Sequence, residues 1–408
     1  MIIKKLVLAV FVLLFSSSML MKANNWEPQL LFGDRFFPSF AIANSTYKTY
    51  YDELSIGETS QDSKGQIGVL MKPSANTYTL KVKISCDEIM FPTEASIKVT
   101  EKNKKFIFTP KIDYKWDALR NNEHSKPITI KITTWVNNKL VDTKMKTVTL
   151  QAINNCPYTC ISKQNEIIDL NYMYAAYVDE DNPVITNVLL KEMFAQGIIK
   201  SISAYQTNSS ADVYRQVFAV WNMLQKRGIS YSSLNSSGNR DDLFTPIVFH
   251  QYVRTVEDAL TNKQANCVDG TVLIASILYR MGIQPYITMT PSHCYLGYDL
   301  GDGSIQFLET TMIGSEPSPE DIAFVKTLPT YDAALGSAFG KAYDSFMVAT
   351  AYGNMNYQKD SEHFNNYTKI IELSIVDEKN RMELARNLQY QLYPVKKYKD
   401  RGLQSIYK

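Results

Sequence analysis

The sequence predicts a multidomain chain, an N-terminal all-β sandwich followed by a larger α+β module. Three observations predict it. The chain has 408 residues, too many for one ordinary core. From about Gly65 to Leu150 apolar and polar residues alternate with period two. Beyond about Lys163 the period becomes helical, and strand-like segments return between Tyr286 and Met312.

The first module is read from its alternation. Tyr78-Thr79-Leu80-Lys81-Val82-Lys83-Ile84, Ile97-Lys98-Val99, Ile128-Thr129-Ile130-Lys131-Ile132 and Val148-Thr149-Leu150 each present one apolar face. Turn clusters such as Pro73-Ser74-Ala75-Asn76 separate them. That pattern is an antiparallel sandwich, and about 85 residues suit one immunoglobulin-like unit. The cysteine–tryptophan–cysteine spacing of antibody domains is missing, so the expectation concerns architecture only.

Composition narrows the function classes. Apolar residues make up 45% and charged residues 21%, as in a folded globular protein. Lys+Arg at 43 against Asp+Glu at 41 leaves +2, so no global field draws in nucleic acid. At the N-terminus, Lys4-Lys5 precede an apolar run from Leu6 to Phe15, and Ser16-Ser17-Ser18 and Ala23 supply small residues. That is the layout of a secretory signal peptide, too short for a spanning helix. The expectation is export to the periplasm, cell surface or medium, with no transmembrane domain after cleavage. The expected boundaries are 1–23 for the signal, 24–64 for an aromatic lead-in, 65–155 for the sandwich, 164–320 for a catalytic module, and 321–408 for a mostly helical extension packed on it.

Cys86, Cys156, Cys160, Cys267 and Cys294 are the five cysteines, and an odd number leaves at least one thiol unpaired in an oxidising compartment. Cys156 and Cys160 flank Pro157-Tyr158-Thr159 at a junction between modules, and read equally as a small disulfide loop or as two buried thiols. The four histidines are not spaced with cysteines as a zinc site requires, so no metal or cofactor is expected.

Helices follow the junction. Val184, Val188, Leu189, Met193 and Phe194 form one apolar face after Asn182-Pro183. Val213, Val217, Val220, Trp221 and Leu224 form the next, stopped by Gly228. Thr255 caps a short helix with an acidic first turn. The most apolar helix runs from Cys267 to Met281 and ends at Gly282.

That last helix opens the candidate site. Asn266 is a good cap, which places Cys267 in the first turn, where unpaired N–H groups and the helix dipole favour a thiolate. The same amides can hold the oxyanion of a tetrahedral intermediate. His293 follows Thr290-Pro291-Ser292 into an apolar strand and is the best placed of the four imidazoles. Gly301-Asp302-Gly303 reads as a three-residue hairpin loop. Leu300 then faces Ser304, Tyr295 faces Glu309, and His293 becomes a diagonal neighbour of Glu309 on the same face. A two-residue loop would turn Glu309 away. Asp299 and Asp302 are rival acids, and Asp302 reads as a turn residue. Cys294 falls on the opposite face and reads as core.

The ordered set Arg254-Thr255-Val256-Glu257-Asp258-Ala259-Leu260, Asn266-Cys267-Val268-Asp269, Ser292-His293 and Leu308-Glu309-Thr310-Thr311 resembles the bacterial transglutaminase-like cysteine peptidase family, over roughly Asp169 to Gly314 with a helix from Phe346 to Tyr357 as its outlying part. The resemblance implies a papain-like fold and acyl transfer from an amide, with Cys267 as nucleophile, His293 as base and Glu309 as the orienting acid. It departs from the family in carrying glutamate rather than aspartate, and Phe307 where a tryptophan is usual. Gln251 resembles a glutamine of some members that donates to the oxyanion, and reads equally as an ordinary loop residue. Asp269 either caps the helix or faces the cleft. The expected activity is hydrolysis of a peptide or amide bond in a protein, peptide or cell-wall peptide. The alternatives are a catalytically silent binding protein on the same scaffold and a protein cross-linking transglutaminase.

Overall fold

The structure, a computed structural model, describes residues 25–47, 66–72, 77–100, 106–161, 166–232, 239–240, 247–364, 370–372 and 390–407. The expected signal peptide, the Pro73–Asn76 turn and the end of the lead-in lie outside them. The chain is a mixed α and β protein that divides into two compact units, one holding residues 25–41 and 66–153, the other residues 42–47 and 154–407. Among the described residues no helix is long and apolar enough to cross a membrane.

The first unit holds two sheets. One has five strands in the order Arg35–Phe36, Lys139–Leu150, Lys126–Val136, Tyr78–Cys86, Met90–Val99, antiparallel except at Arg35–Phe36. Period two is what builds it: Tyr78, Leu80, Val82, Ile84 and Cys86 are buried while the residues between them are not. The second sheet pairs Asn25–Leu30, Ile67–Lys72 and Phe106–Phe108, all antiparallel. The described start of the lead-in joins these sheets, since Asn25–Leu30 and Arg35–Phe36 are strands of them. Its aromatic residues Trp26, Phe32, Phe36, Phe37 and Phe40 are buried, which repays ordering it.

The second unit is built on two larger sheets. A five-stranded antiparallel sheet runs Asn239–Arg240, Ile247–Tyr252, Asn155–Ile161, Glu166–Asp169, Ile370–Glu372. The expected junction at Cys156 is thus its central strand. The turn-like look of Cys156-Pro157-Tyr158 came from Pro157, which lacks the ladder N–H. The sheet accommodates it at an irregularity where Phe249 pairs with Thr159 and His250 with Pro157, skipping Tyr158. Cys156 and Cys160 are buried and not joined in a disulfide. Four residues apart on a strand means about 13 Å, far beyond disulfide reach, so they are two buried thiols.

A four-stranded antiparallel sheet runs Ile305–Leu308, His293–Asp299, Pro285–Thr290, Gln391–Pro394. Its last strand comes from the expected helical extension, which therefore completes this sheet. The helix Cys267–Arg280 packs on the two middle strands, burying Val268, Val272, Leu273, Ile274, Ile277 and Leu278. The helix Ser210–Lys226 buries all five residues of its expected face. Of the earlier expected face, Leu189 and Met193 are buried and Val184 is half-buried, whereas Val188 and Phe194 are exposed and Ile185, outside that face, is buried instead. A wide π-type turn over Ile185–Leu189 precedes the α-helix Leu190–Ala195 and rotates the following residues off the 3.6 period.

Candidate active site

The helix begins at Cys267 because its first turn is closed by a reciprocal cap. The Asn266 side chain accepts from the Asp269 N–H at 2.9 Å, and Asp269 Oδ2 accepts from the Asn266 N–H at 3.1 Å. Asp269 does more than cap. Its Oδ1 accepts from the Arg254 N–H at 2.9 Å, and the Arg254 guanidinium donates to its Oδ2. Both side chains are buried, so Asp269 fastens the end of the strand Ile247–Tyr252 to the start of the helix. Capping is the option the structure favours over facing the cleft, because this buried carboxylate accepts two bonds from Arg254 and one from the Asn266 N–H.

Cys267 is the half-exposed member of the five cysteines, the other four being buried. Its carbonyl accepts from the Thr271 hydroxyl at 2.7 Å and from the Thr310 hydroxyl at 3.3 Å. A side chain at Gly270 would stand 3.2 Å from Thr310 Cβ, so a glycine there lets the Glu309–Thr310 turn approach the helix. That contact brings Glu309 toward Cys267.

The hairpin register is the three-residue one. Leu296 pairs with Leu308 and Asp299 with Ile305, and the Leu300 N–H donates to Ser304 O at 3.0 Å. Continuing that register sets Tyr295 opposite Glu309 and His293 diagonal to it. The distance follows: His293 Nε2 lies 2.8 Å from Glu309 Oε2. With Nε2 so engaged, Nδ1 is the ring nitrogen left to face the Cys267 thiol, which lies close enough to raise the ring's proton affinity. Burial alone would lower the imidazole's proton affinity. Cys267, together with the hydrogen bond to Glu309 and its charge, outweighs it and pushes His293 up to about 10.

Glu309 sits at the end of the strand Ile305–Leu308 and caps the 3₁₀ turn Thr310–Met312. It is 5% exposed. Burial favours its protonated form, but His293 and the bonds from Thr311 prevail and hold the carboxyl below its usual range. Oε1 accepts from the Thr311 N–H at 3.2 Å and the Thr311 hydroxyl at 2.6 Å, and Oε2 also accepts from Asn356 Nδ2 at 3.2 Å. The rival Asp302 instead accepts from the Ser304 N–H and from the Ser304 and Ser210 hydroxyls, closing the hairpin turn.

Gln251 lies on the strand Ile247–Tyr252, where it pairs with Cys156. The Tyr174 hydroxyl donates to its Oε1 at 3.4 Å, which points the amide's Nε2 the other way. Tyr174 belongs to the buried turn Asn171–Tyr177 and lies within electrostatic reach of Cys267. The structure thus brings Cys267, His293 and Glu309 together, ties Gln251 to their surroundings through Tyr174, and leaves Asp269 behind the site. Tyr231 stands beside them: burial first, then the charges of Cys267 and Glu309, raise its proton affinity.

Sequence reasoning assigned no role to Tyr174, Tyr231, Thr310, Thr311 or Asn356. Thr310-Thr311 stood inside a recognised motif, and Tyr174, Tyr231 and Asn356 gave no local signal. Cys294 has its predicted place, wholly buried on the strand face opposite His293. Among the described residues no group of three His, Cys, Asp or Glu is arranged to hold a metal ion. No protein-family model matches this chain, and no curated protein matches it.

Proposed function

We propose that the second unit is the catalytic module of an exported, cysteine-dependent acyl-transfer enzyme, similar to the bacterial transglutaminase-like cysteine peptidases, that hydrolyses peptide or amide bonds. The observation that carries this reading is the imidazole of His293 hydrogen-bonded to the buried Glu309 while lying close enough to Cys267 for that thiol to act on its proton affinity. A nucleophile on a helix mouth, packed against an antiparallel sheet that carries base and acid on one face, also supports a papain-like arrangement. The first unit would then be an immunoglobulin-like arm, and the charged and apolar N-terminal stretch would direct export.

In this mechanism Cys267 Sγ attacks the substrate carbonyl carbon while His293 holds the thiol proton. The oxyanion forms against the first-turn amides of the helix, with Gln251 Nε2 as side-chain donor. Collapse breaks the C–N bond, and His293 delivers the proton to the leaving amine. Water, deprotonated by His293, attacks the thioester carbonyl, releasing the acid and regenerating the thiol. Glu309 stays ionised throughout and stabilises the imidazolium, the role of the third member in such triads.

The test is mass spectrometry of a mixture of unstructured peptides incubated with the protein, with and without a small primary amine. New termini made by the wild type and lost in Cys267→Ala are the expected result. Amine incorporated at glutamine, with no new termini, would replace hydrolysis by cross-linking. Peptide retained on the protein with neither product would identify a binding protein.

A further inference from the structure

We infer that Asn356 is a positioning residue of the catalytic array, holding the Glu309 carboxylate so that Oε2 stays directed at His293. The inference rests on the reading of Glu309 as the orienting acid. Asn356 lies near the end of the helix Lys341–Asp360, 47 residues beyond Glu309. That helix is docked on the acid's strand by other residues. The Glu309 N–H donates to Ala349 O at 3.0 Å. A Cβ on Gly353 would stand 2.6 Å from the Phe307 carbonyl carbon, so the backbones touch there. Asn354 Oδ1 accepts from the Phe307 N–H at 3.1 Å, and the Tyr357 ring stacks on Phe307 at 4.0 Å and 15°. Positions 349, 353, 356 and 357 recur on one helix face.

The docking accounts for the helix without Asn356. Its Nδ2 goes instead to a buried charge, and only the NH₂ end of the amide can serve a carboxylate, which accepts and never donates. Each Glu309 oxygen then has two donors: Thr311 N–H and hydroxyl on Oε1, His293 and Asn356 on Oε2. Thr311 alone would fix one oxygen and leave the carboxylate free to turn. Glutamate has one more rotatable bond than aspartate, so the second tether matters more for it. A buried acid so held presents its charge to His293 in one geometry.

The experiment follows alkylation of Cys267 by iodoacetamide, which needs no known substrate, across pH 5–9 in Asn356→Leu, Asn356→Asp, Glu309→Gln and the wild type, with Cys267→Ala as blank. Asn356→Leu keeps the volume and loses the donor. It is expected to slow labelling at pH 7 about tenfold, roughly the factor carried by one charge-assisted hydrogen bond. Asn356→Asp puts a second carboxylate beside Glu309, which raises proton binding by the pair and moves the acid limb of the profile to higher pH. The other ionisable groups facing Glu309 are Cys267, Cys294, Tyr231 and Tyr295, with Asp360 beside Tyr295. The tyrosines and the buried Cys294 stay neutral in the window where that limb moves. A merely structural role would slow both variants alike with the limb unmoved, and that outcome overturns the inference. So does slowing by Glu309→Gln with Asn356→Leu unaffected, which leaves the triad standing. Unchanged labelling in Glu309→Gln overturns the acid's role itself and the inference with it.

Discussion

Cys267 and Cys294 occupy one corner of the second unit, close enough for the charge of one to act on the other, yet they meet opposite surroundings. Cys267 is half-exposed on the first turn of a capped helix and lies within electrostatic reach of an imidazole. Cys294 directly follows that imidazole's residue on its strand, and the alternation of the strand turns it to the other face. There it is 1% exposed, and burial drives its thiol well above the ordinary range. The residue type is the same, and a helix mouth on one side and the covered face of a strand on the other give it opposite surroundings. Position on the element, not the sulfur, makes the chemistry.

The largest expected effect breaks that contrast directly. Cys267→Ala abolishes both iodoacetamide labelling and peptide turnover, while Cys294→Ala keeps both within about twofold and lowers stability by about 1 kcal/mol in thermal unfolding. Loss of labelling in the Cys294 variant would mean that the two thiols are not separate in role.

Next in size is the acid. Glu309→Gln is expected to lower turnover by roughly 10²- to 10⁴-fold, the range of a triad member. It also lowers the His293 titration, read by NMR of the ring protons, from about 10 in the native protein. The sign for stability follows. His293, raised above 6.5, stabilises the fold below that value and ceases to as pH climbs through about 10. Glu309, held below 4.5, stabilises the fold above that value and ceases to as pH falls. The gap in thermal midpoint between wild type and variant is therefore widest at roughly pH 5 to 6 and narrows toward both extremes. A gap independent of pH would contradict the ion pair.

Asp269→Asn sharpens the contrast from the structural side. It leaves the Arg254 guanidinium buried with a neutral partner, expected to cost about 3–5 kcal/mol in chemical denaturation. The labelling rate of the protein that remains folded should fall far less than in Glu309→Gln, since Asp269 holds the helix mouth without touching the thiol.

What the sequence disclosed of this site follows the same line between local and distant causes. Asn266 and Thr255 announced their helices because a cap and its answering carboxylate are three residues apart, and both reciprocal caps are present. Gly301-Asp302-Gly303 set the hairpin register, and with it the face of Glu309, because loop length fixes pairing. Cys156-Pro157 misled because its role as a central strand depends on Ile247–Tyr252, some ninety residues away. Asn356 was silent for the same reason: nothing near it in the chain says that its helix will dock on Phe307. The π-turn at Ile185–Leu189 likewise shifted a helical face that a 3.6 period had placed one way round.

Gln251 offers the finest division between these two kinds of cause. Its place on the strand beside Cys156 is settled by pairing, but the orientation of its amide depends on one hydroxyl from a separate turn, Tyr174 OH to Oε1 at 3.4 Å. Gln251→Ala removes the side-chain donor itself, and a loss of roughly 10²-fold in kcat is expected for an oxyanion contact, with KM little changed. Tyr174→Phe removes only the hydroxyl. At that length the bond is weak, so the expected loss is about two- to fivefold in kcat, with thiol labelling unchanged because the Cys267–His293 pair is untouched. If Tyr174→Phe equals Gln251→Ala, the amide has no orientation of its own and the hydroxyl governs the oxyanion site. If Gln251→Ala is as mild as Tyr174→Phe, the helix amides hold the oxyanion alone, and the mouth of the Cys267 helix carries that part of the chemistry by itself.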